Sequence, residues 1–338
     1  MKKLMILLFL VFTLSSCQKT DNFIPLIIYD MNDTYMEDFE MKITESAQGV
    51  ITLKTFDSQN SQVIQNEIIV SLLKKGHKEL IVNPVDRLSA YATIELAKKY
   101  DATIIFINRE PLEKDLQSYE KAYYIGALPS ESGVLQAELV NNLFGYDPNN
   151  LNFNDKNDDG VIQLVILKGE VGHQDAEIRT KTVLEELDRL GFSVELLEIA
   201  VGNFDEETAY TETKKLITEY NHSIELVLSN NDAMAIGALR AFKEAELIKD
   251  LDSDQIINPI IEPWVPIIGI DGLDVALDYI KTNEIYGTIL NDSNNMAKAI
   301  IELVNSLKNN LSLDELTFSL SNNKYIWVPY QKITNIEE

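Results

Sequence analysis

From residue 24 onward, short runs of β-branched and other apolar residues alternate with longer segments whose apolar positions recur every three to four residues. Runs at 25–29, 50–53, 79–82 and 103–107 predict strands, and the segments 61–75 and 88–99 between them predict amphipathic helices. After a strand at 123–125 the series starts again, with strands predicted at 162–167, 193–199, 224–228, 266–270 and 287–290. Strand and helix alternating twice predict an α/β chain of two doubly wound parallel-sheet lobes with helices on both faces. A last run, Tyr325-Ile-Trp-Val-Pro-Tyr330, predicts a late strand by which the C-terminus crosses back between the lobes. The length of 338 residues agrees, since a domain takes about 150.

Charge and cysteine usage narrow the partners. Fifty-four acidic against 29 basic residues give a net charge of −25, which repels both a polyphosphate backbone and an anionic lipid surface, so nucleic acid is excluded as a partner. The single cysteine, Cys17, excludes an intrachain disulfide and a cysteine-based zinc site. It follows a basic Met1-Lys2-Lys3, an apolar run over 4–12 and the small residues of Leu14-Ser15-Ser16, the layout of an export signal. Nine apolar residues reach about 14 Å as a helix, roughly half a bilayer core. The segment therefore directs export rather than spanning a membrane. Leu-Ser-Ser-Cys resembles the bacterial lipoprotein signal, which implies that 1–16 is cleaved and that Cys17 is lipidated. The protein would then be held to a membrane, on its periplasmic or cell-surface side, by acyl chains and a short polar tether.

In open parallel sheets ligands bind beyond the carboxyl ends of the strands. The residues there are Asp33 and Tyr35 after the first strand, Asn108 after the fourth, and His173, Asp175 and Arg179 after the first strand of the second lobe. Phe204, Asn231, Asp271 and Asn291 continue the series. Singly, Asp and Asn at such places are turn formers or helix N-caps, and Asp205 before the helix at Glu206 reads as one. As a ring from two lobes, planar carboxylates, carboxamides and a guanidinium suit a ligand rich in hydroxyls, each able to donate once and accept twice.

The strings Ala122-Tyr-Tyr-Ile-Gly126, Leu167-Lys-Gly-Glu170, Gly172-His-Gln-Asp-Ala-Glu-Ile-Arg179, Ser229-Asn-Asn-Asp-Ala-Met-Ala-Ile-Gly237 and Gly287-Thr-Ile-Leu-Asn-Asp292 resemble the periplasmic glucose/galactose-binding proteins over residues 24–330. The resemblance implies a type I periplasmic-binding fold with three crossovers, partitioned as 24–127 plus 291–324 and 128–290 plus 325–334. It also implies a monomer that carries D-glucose or D-galactose to the membrane subunits of an ABC importer, with a chemoreceptor as a further partner. In that family two aromatics sandwich the sugar, at positions that match Tyr35 and Phe204, and the hydroxyl-reading positions fall on Asp33, Asn108, His173, Asp175, Arg179, Asn231, Asp271 and Asn291. The family's second-lobe Trp is Phe204 here, without the indole N–H. An insertion at 246–265 reads as a longer surface loop rather than a part of the pocket.

Asp155-Lys-Asn-Asp-Asp-Gly-Val-Ile-Gln163 has the spacing of an EF-hand calcium loop. Oxygen side chains stand at positions 1, 3, 5 and 9 (Asp155, Asn157, Asp159, Gln163), with Gly160 at position 6 and the Val161 carbonyl at position 7. Position 12 is Ile166, so the usual bidentate Glu is missing, and the resemblance offers Glu225 as the distal carboxylate on a structural Ca²⁺.

Dinucleotide, P-loop, nucleophile-elbow and H-E-x-x-H signatures are absent, so no enzyme class is indicated. His77 and His222 read as solvated loop residues. The competing classes are a sugar-acting enzyme using His173 beside Asp175, and an adhesive surface lipoprotein with a vestigial cleft.

Overall fold

The structure, a computed structural model, describes residues 23–335; Cys17 and the predicted signal segment lie outside the described residues. In the first sheet β1 (Ile24–Ile28), β2 (Leu53–Asp57), β3 (Glu79–Val82), β4 (Thr103–Ile107) and β5 (Ala122–Gly126) run parallel. In the second, β6 (Ile162–Lys168), β7 (Val194–Val201), β8 (Leu226–Ser229), β9 (Ile267–Asp271) and β10 (Gly287–Leu290) do the same. Late strands complete both sheets: β11 (Leu320–Ser321) and β12 (Tyr325–Trp327) the first, β13 (Gln331–Thr334) the second. The orders, β11-β12-β5-β4-β3-β1-β2 and β13-β10-β9-β8-β6-β7, share one winding pattern, so each lobe brings its strand ends to a switch point in the same way.

Helices α1 (Thr34–Ala47), α2 (Gln62–Lys74), α3 (Ala90–Tyr100) and the short α4 (Glu113–Leu116) serve the first sheet. Helices α5 (Pro129–Leu143), α6 (Gln174–Leu190), α7 (Glu206–Tyr220), α8 (Asp232–Glu244) and α9 (Asp274–Lys281) serve the second, and α10 (Ser293–Lys308) returns to pack on α1. Because both faces of each sheet are covered, the inner strands are largely apolar on both faces rather than alternating. Leu26, Ile28 and Ile105 meet Phe39 and Ile43 of α1 on one face, while Ile27, Ile104 and Phe106 meet Ile69 of α2 and Ile94 of α3 on the other.

The chain passes between lobes three times: from β5 to α5, at Asn291 and Asp292 between β10 and α10, and over 328–330 between β12 and β13. The last passage departs from the sequence reading, which placed 325–334 with the second lobe. Tyr325, Ile326 and Trp327 pair in parallel with Tyr124, Ile125 and Gly126, and so belong to the first sheet. The apolar run reads as one strand, but β12 ends at Trp327, and Pro329, which lacks an N–H, lies in the crossing that precedes β13. The second predicted strand is also displaced, from 50–53 to Leu53–Asp57. Val50 is 51% exposed in the turn after α1, and the true strand is a half-polar edge strand whose pattern is weak. His77 is buried, not solvated, its ring 4.6 Å from that of Phe23, whereas His222 is exposed as expected.

The candidate ligand cleft

Ten residues predicted from strand ends, Asp33, Tyr35, Asn108, His173, Asp175, Arg179, Phe204, Asn231, Asp271 and Asn291, line one cavity between the lobes. Its space, open solvent at the mouth included, is about 390 Å³, and Tyr29 and Arg109 complete the lining. Neither of those two was singled out in the sequence. Tyr29 closes an apolar run and reads as core, and Arg109 directly follows the strand-end residue Asn108, a position that could have drawn attention to it.

Several cleft residues are helix caps as well. Asp33 accepts the Met36 N–H at 3.0 Å at the start of α1, and Asn231 accepts the Met234 N–H at 3.0 Å at the start of α8. His173 Nδ1 accepts the Asp175 N–H at 3.2 Å at the start of α6. Capping and cleft lining coincide because a helix that follows a parallel strand begins where that strand ends. The cap fixes each side chain while leaving it polar capacity: with Nδ1 accepting, the neutral His173 ring carries its proton on Nε2 and is a donor there. Burial, the dominant influence, lowers its pKa to about 4. Asp205 caps α7 through the Thr208 N–H at 2.7 Å and lies outside the cleft lining.

On the first-lobe wall the Tyr29 hydroxyl donates to Asp33, and burial followed by the Asp33 charge keeps the phenol protonated. Arg109, 8% exposed, donates to the Val85 carbonyl at 2.6 Å. Its second terminal nitrogen stands 3.9 Å from Glu170 of the other lobe. Asn108 has a left-handed φ of 60°, which its short polar side chain tolerates. On the second-lobe wall Arg179 is held by the Asn230 carbonyl at 2.7 Å, the Tyr330 oxygen at 3.0 Å and Asp175 at 3.7 Å. Its Nε is buried without a partner, as is Asn291 Oδ1. Burial, followed by the Asp232 and Asp33 charges and opposed by Arg179, pushes the Asp271 carboxyl well above its usual range.

The two aromatics come from opposite lobes. Tyr35 tilts against Phe39 at 5.8 Å, and Phe204 meets the His173 ring edge-on at 5.2 Å. Phe204 lies directly over Gly169, where an added Cβ would fall 2.1 Å from the ring carbon Cζ. The arrangement offers rings for the apolar face of a ligand, and carboxylates, carboxamides, imidazole and guanidinium for its polar edge.

At the opposite end of β6, Asp155 accepts the Gly160 N–H at 2.8 Å and Asp159 accepts the Val161 N–H at 2.8 Å, curling 155–163 into a loop with Gly160 at φ 75°. Glu225, 1% exposed, accepts the N–H groups of Lys156 at 2.6 Å and Gln163 at 3.4 Å. Its pKa is raised by burial first and by Asp155 among the neighbouring charges. The Lys156 ammonium turns away to the Trp264 carbonyl at 2.7 Å, and among the described residues no cation pairs with Asp155, Asp159 or Glu225. Asn157 Nδ2 sits 2.9 Å from Asp159 and 3.3 Å from Gln163 Oε1. A set of three carboxylates and two carboxamides, with the Lys156 charge acting on Glu225 from beyond ion-pair distance, has the oxygen donors that a hard dication takes. The three carboxylates are spread: the one acidic triad among the described residues drawn within 4.8 Å is Asp250, Asp252 and Asp254, in the insertion. That insertion lines none of the cleft.

Comparisons with known proteins agree with this architecture. The model of the periplasmic binding protein domain matches residues 24–311. The D-galactose/methyl-galactoside binding periplasmic protein of Haemophilus influenzae is 38% identical over 92% of this chain and 88% of its own length. Among solved structures, a periplasmic solute-binding protein of an ABC transporter from Actinobacillus succinogenes, with bound D-allose, superposes with a TM-score of 0.75 at 20% identity, covering 93% of this chain and 98% of that one. The Caulobacter myo-inositol binding protein superposes at 0.73 and 19% identity, covering 92% of each. The family serves transport by binding substrates and is not one of enzymes. Among the described residues no helix is long and apolar enough to cross a membrane. The chain belongs to the periplasmic binding protein domain family.

Proposed function

We propose that this protein captures a hexose, D-glucose or D-galactose, in the interlobe cleft and hands it to the membrane subunits of an ABC importer. The observation that carries the reading is the lining itself. Two rings from opposite lobes flank polar side chains of both lobes, among them a guanidinium nitrogen of Arg179 and an oxygen of Asn291 that are buried without protein partners. Unpaired polar atoms in a buried site are costly unless a ligand satisfies them. Because the ligand would touch both lobes, it would favour the closed arrangement by its differential contacts, and the importer would read that arrangement. The 38% identity with a galactose/methyl-galactoside binding relative supports the sugar class. Isothermal titration of the chain from Gln18 onward, stripped of co-purified sugar, tests the reading. One-to-one binding of either hexose is expected, and silence with both overturns it.

The same reading assigns Ca²⁺ to the loop, held by Asp155, Asn157, Asp159, the Val161 carbonyl, Gln163 and Glu225. The ion would fasten the loop to β8 through Glu225 and play no part in sugar contact. Lipidation of Cys17 would keep the protein at the membrane, and a chemoreceptor is a second candidate reader of the closed form.

A further inference from the structure

Asp271 reaches the cleft from a backbone conformation that side-chain-bearing residues rarely adopt, with φ at 131°, and Gly272 follows at φ 78°. Such a conformation persists only where its surroundings impose it. The side chain bonded to the turn that follows Asp271 is that of Asp232, which is fully buried and does not line the cleft. Its Oδ2 accepts the Gly272 N–H at 2.7 Å and the Leu273 N–H at 2.9 Å, and its Oδ1 accepts the Thr288 hydroxyl at 2.7 Å. Space for that carboxylate is made by Gly269 of β9, where a Cβ would fall 2.0 Å from Oδ1.

Asp232 is the first residue of α8, immediately after Asn231, which lines the cleft. One carboxylate thus ties the start of α8 to the turn beyond β9 and to β10. No cation lies within ion-pair distance of it among the described residues; these three donors and the more distant Arg179 charge meet its own, and burial, the larger influence, raises its pKa to about 6. Three converging donors call for an acceptor on both oxygens. A carboxamide can still take both N–H groups on its oxygen and donate its NH₂ to the Thr288 hydroxyl, which also accepts, whereas a methyl group leaves all three donors without a partner.

We propose that Asp232 is a positioning residue for sugar capture: it holds Asp271 in its strained conformation and in register with Asn231, without touching the ligand. The inference rests on the hexose reading above. Its test is titration of the chosen hexose into Asp232→Ala, Asp271→Asn and the double variant, with Thr288→Val as a milder probe that removes one donor. If Asp232 acts through Asp271, the Asp232→Ala variant binds about tenfold or more weakly, Thr288→Val falls between it and the unaltered protein, and the double variant is no weaker than the weaker single one. Affinity within twofold of the unaltered protein for both Asp232→Ala and Thr288→Val overturns the proposal. So do losses that simply add in the double variant, because a general loosening of the lobe would add. Absence of hexose binding in the unaltered protein would instead overturn the reading of the cleft.

Discussion

The Arg109 guanidinium lies 3.6 Å above the centre of the Tyr29 ring, and both groups face the cleft. Stacking of this kind contributes about 0.5–2 kcal/mol, more where water is excluded. The same guanidinium reaches toward Glu170 across the lobes. Replacing Arg109 by Ala should weaken hexose binding by about 5- to 30-fold, while Arg109→Lys, which keeps the charge and loses the flat face, should fall between. Titration calorimetry of the two variants decides it, and equal affinities for Lys and Arg would remove stacking from the account.

Gly169 and Phe204 give a second prediction. The Gly169→Ala methyl would meet three ring carbons of Phe204 at 2.1 to 2.5 Å, so the ring must leave its place. Overpacking of this kind costs about 1–3 kcal/mol, and here it moves one of the two rings of the cleft. The expected outcome is a modest drop in melting temperature together with a changed glucose-to-galactose affinity ratio. An unchanged ratio would detach Phe204 from selectivity.

His173 supplies a pH signature. Its folded pKa of about 4 lies below the ordinary 6.5, so the folded state takes up its proton later than the unfolded chain. The contribution is complete above pH 6.5 and is lost as pH falls through 4, amounting to about 3 kcal/mol over that window. Asp232, raised to about 6, runs the other way: its contribution is complete below 3.8 and is lost as pH rises through 6. Melting temperatures should therefore be read as differences between the unaltered protein and His173→Gln at each pH. That difference should shrink as the pH is lowered from 7 to 4.5; a constant difference would contradict the half-buried, neutral imidazole.

Calcium removal is the fourth test. With no cation within ion-pair distance of Asp155, Asp159 or Glu225 among the described residues, a chelator should lower the melting temperature of the chain, and Glu225→Gln should largely abolish that shift. Differential scanning calorimetry with and without calcium reads both. Identical traces would leave the loop as a turn alone.

Most of the site is legible in the sequence because a parallel sheet delivers its strand ends to one place, and polar planar residues stand out against the apolar runs before them. His173, Asn231 and Asp271 could be singled out for that reason. Tyr29 could not, since its ring continues an apolar run, and Asp232 looks like an ordinary first-turn helix acid until its carboxylate is seen under Gly272. The displaced β2 and the split of β12 from β13 show the other limit. An edge strand carries too little apolar pattern to fix its ends, and pairing partners far away in sequence decide to which lobe a strand belongs.

The last strands bear on how the molecule is made. Residues of β12 are hydrogen-bonded along β5 in one sheet and those of β13 along β10 in the other, within a dozen residues of the described C-terminus. A chain that is made or threaded N-terminus first can finish neither sheet until residues 325–334 are available. One short stretch thus closes both lobes, and the cleft between them takes its shape only when that stretch is in place.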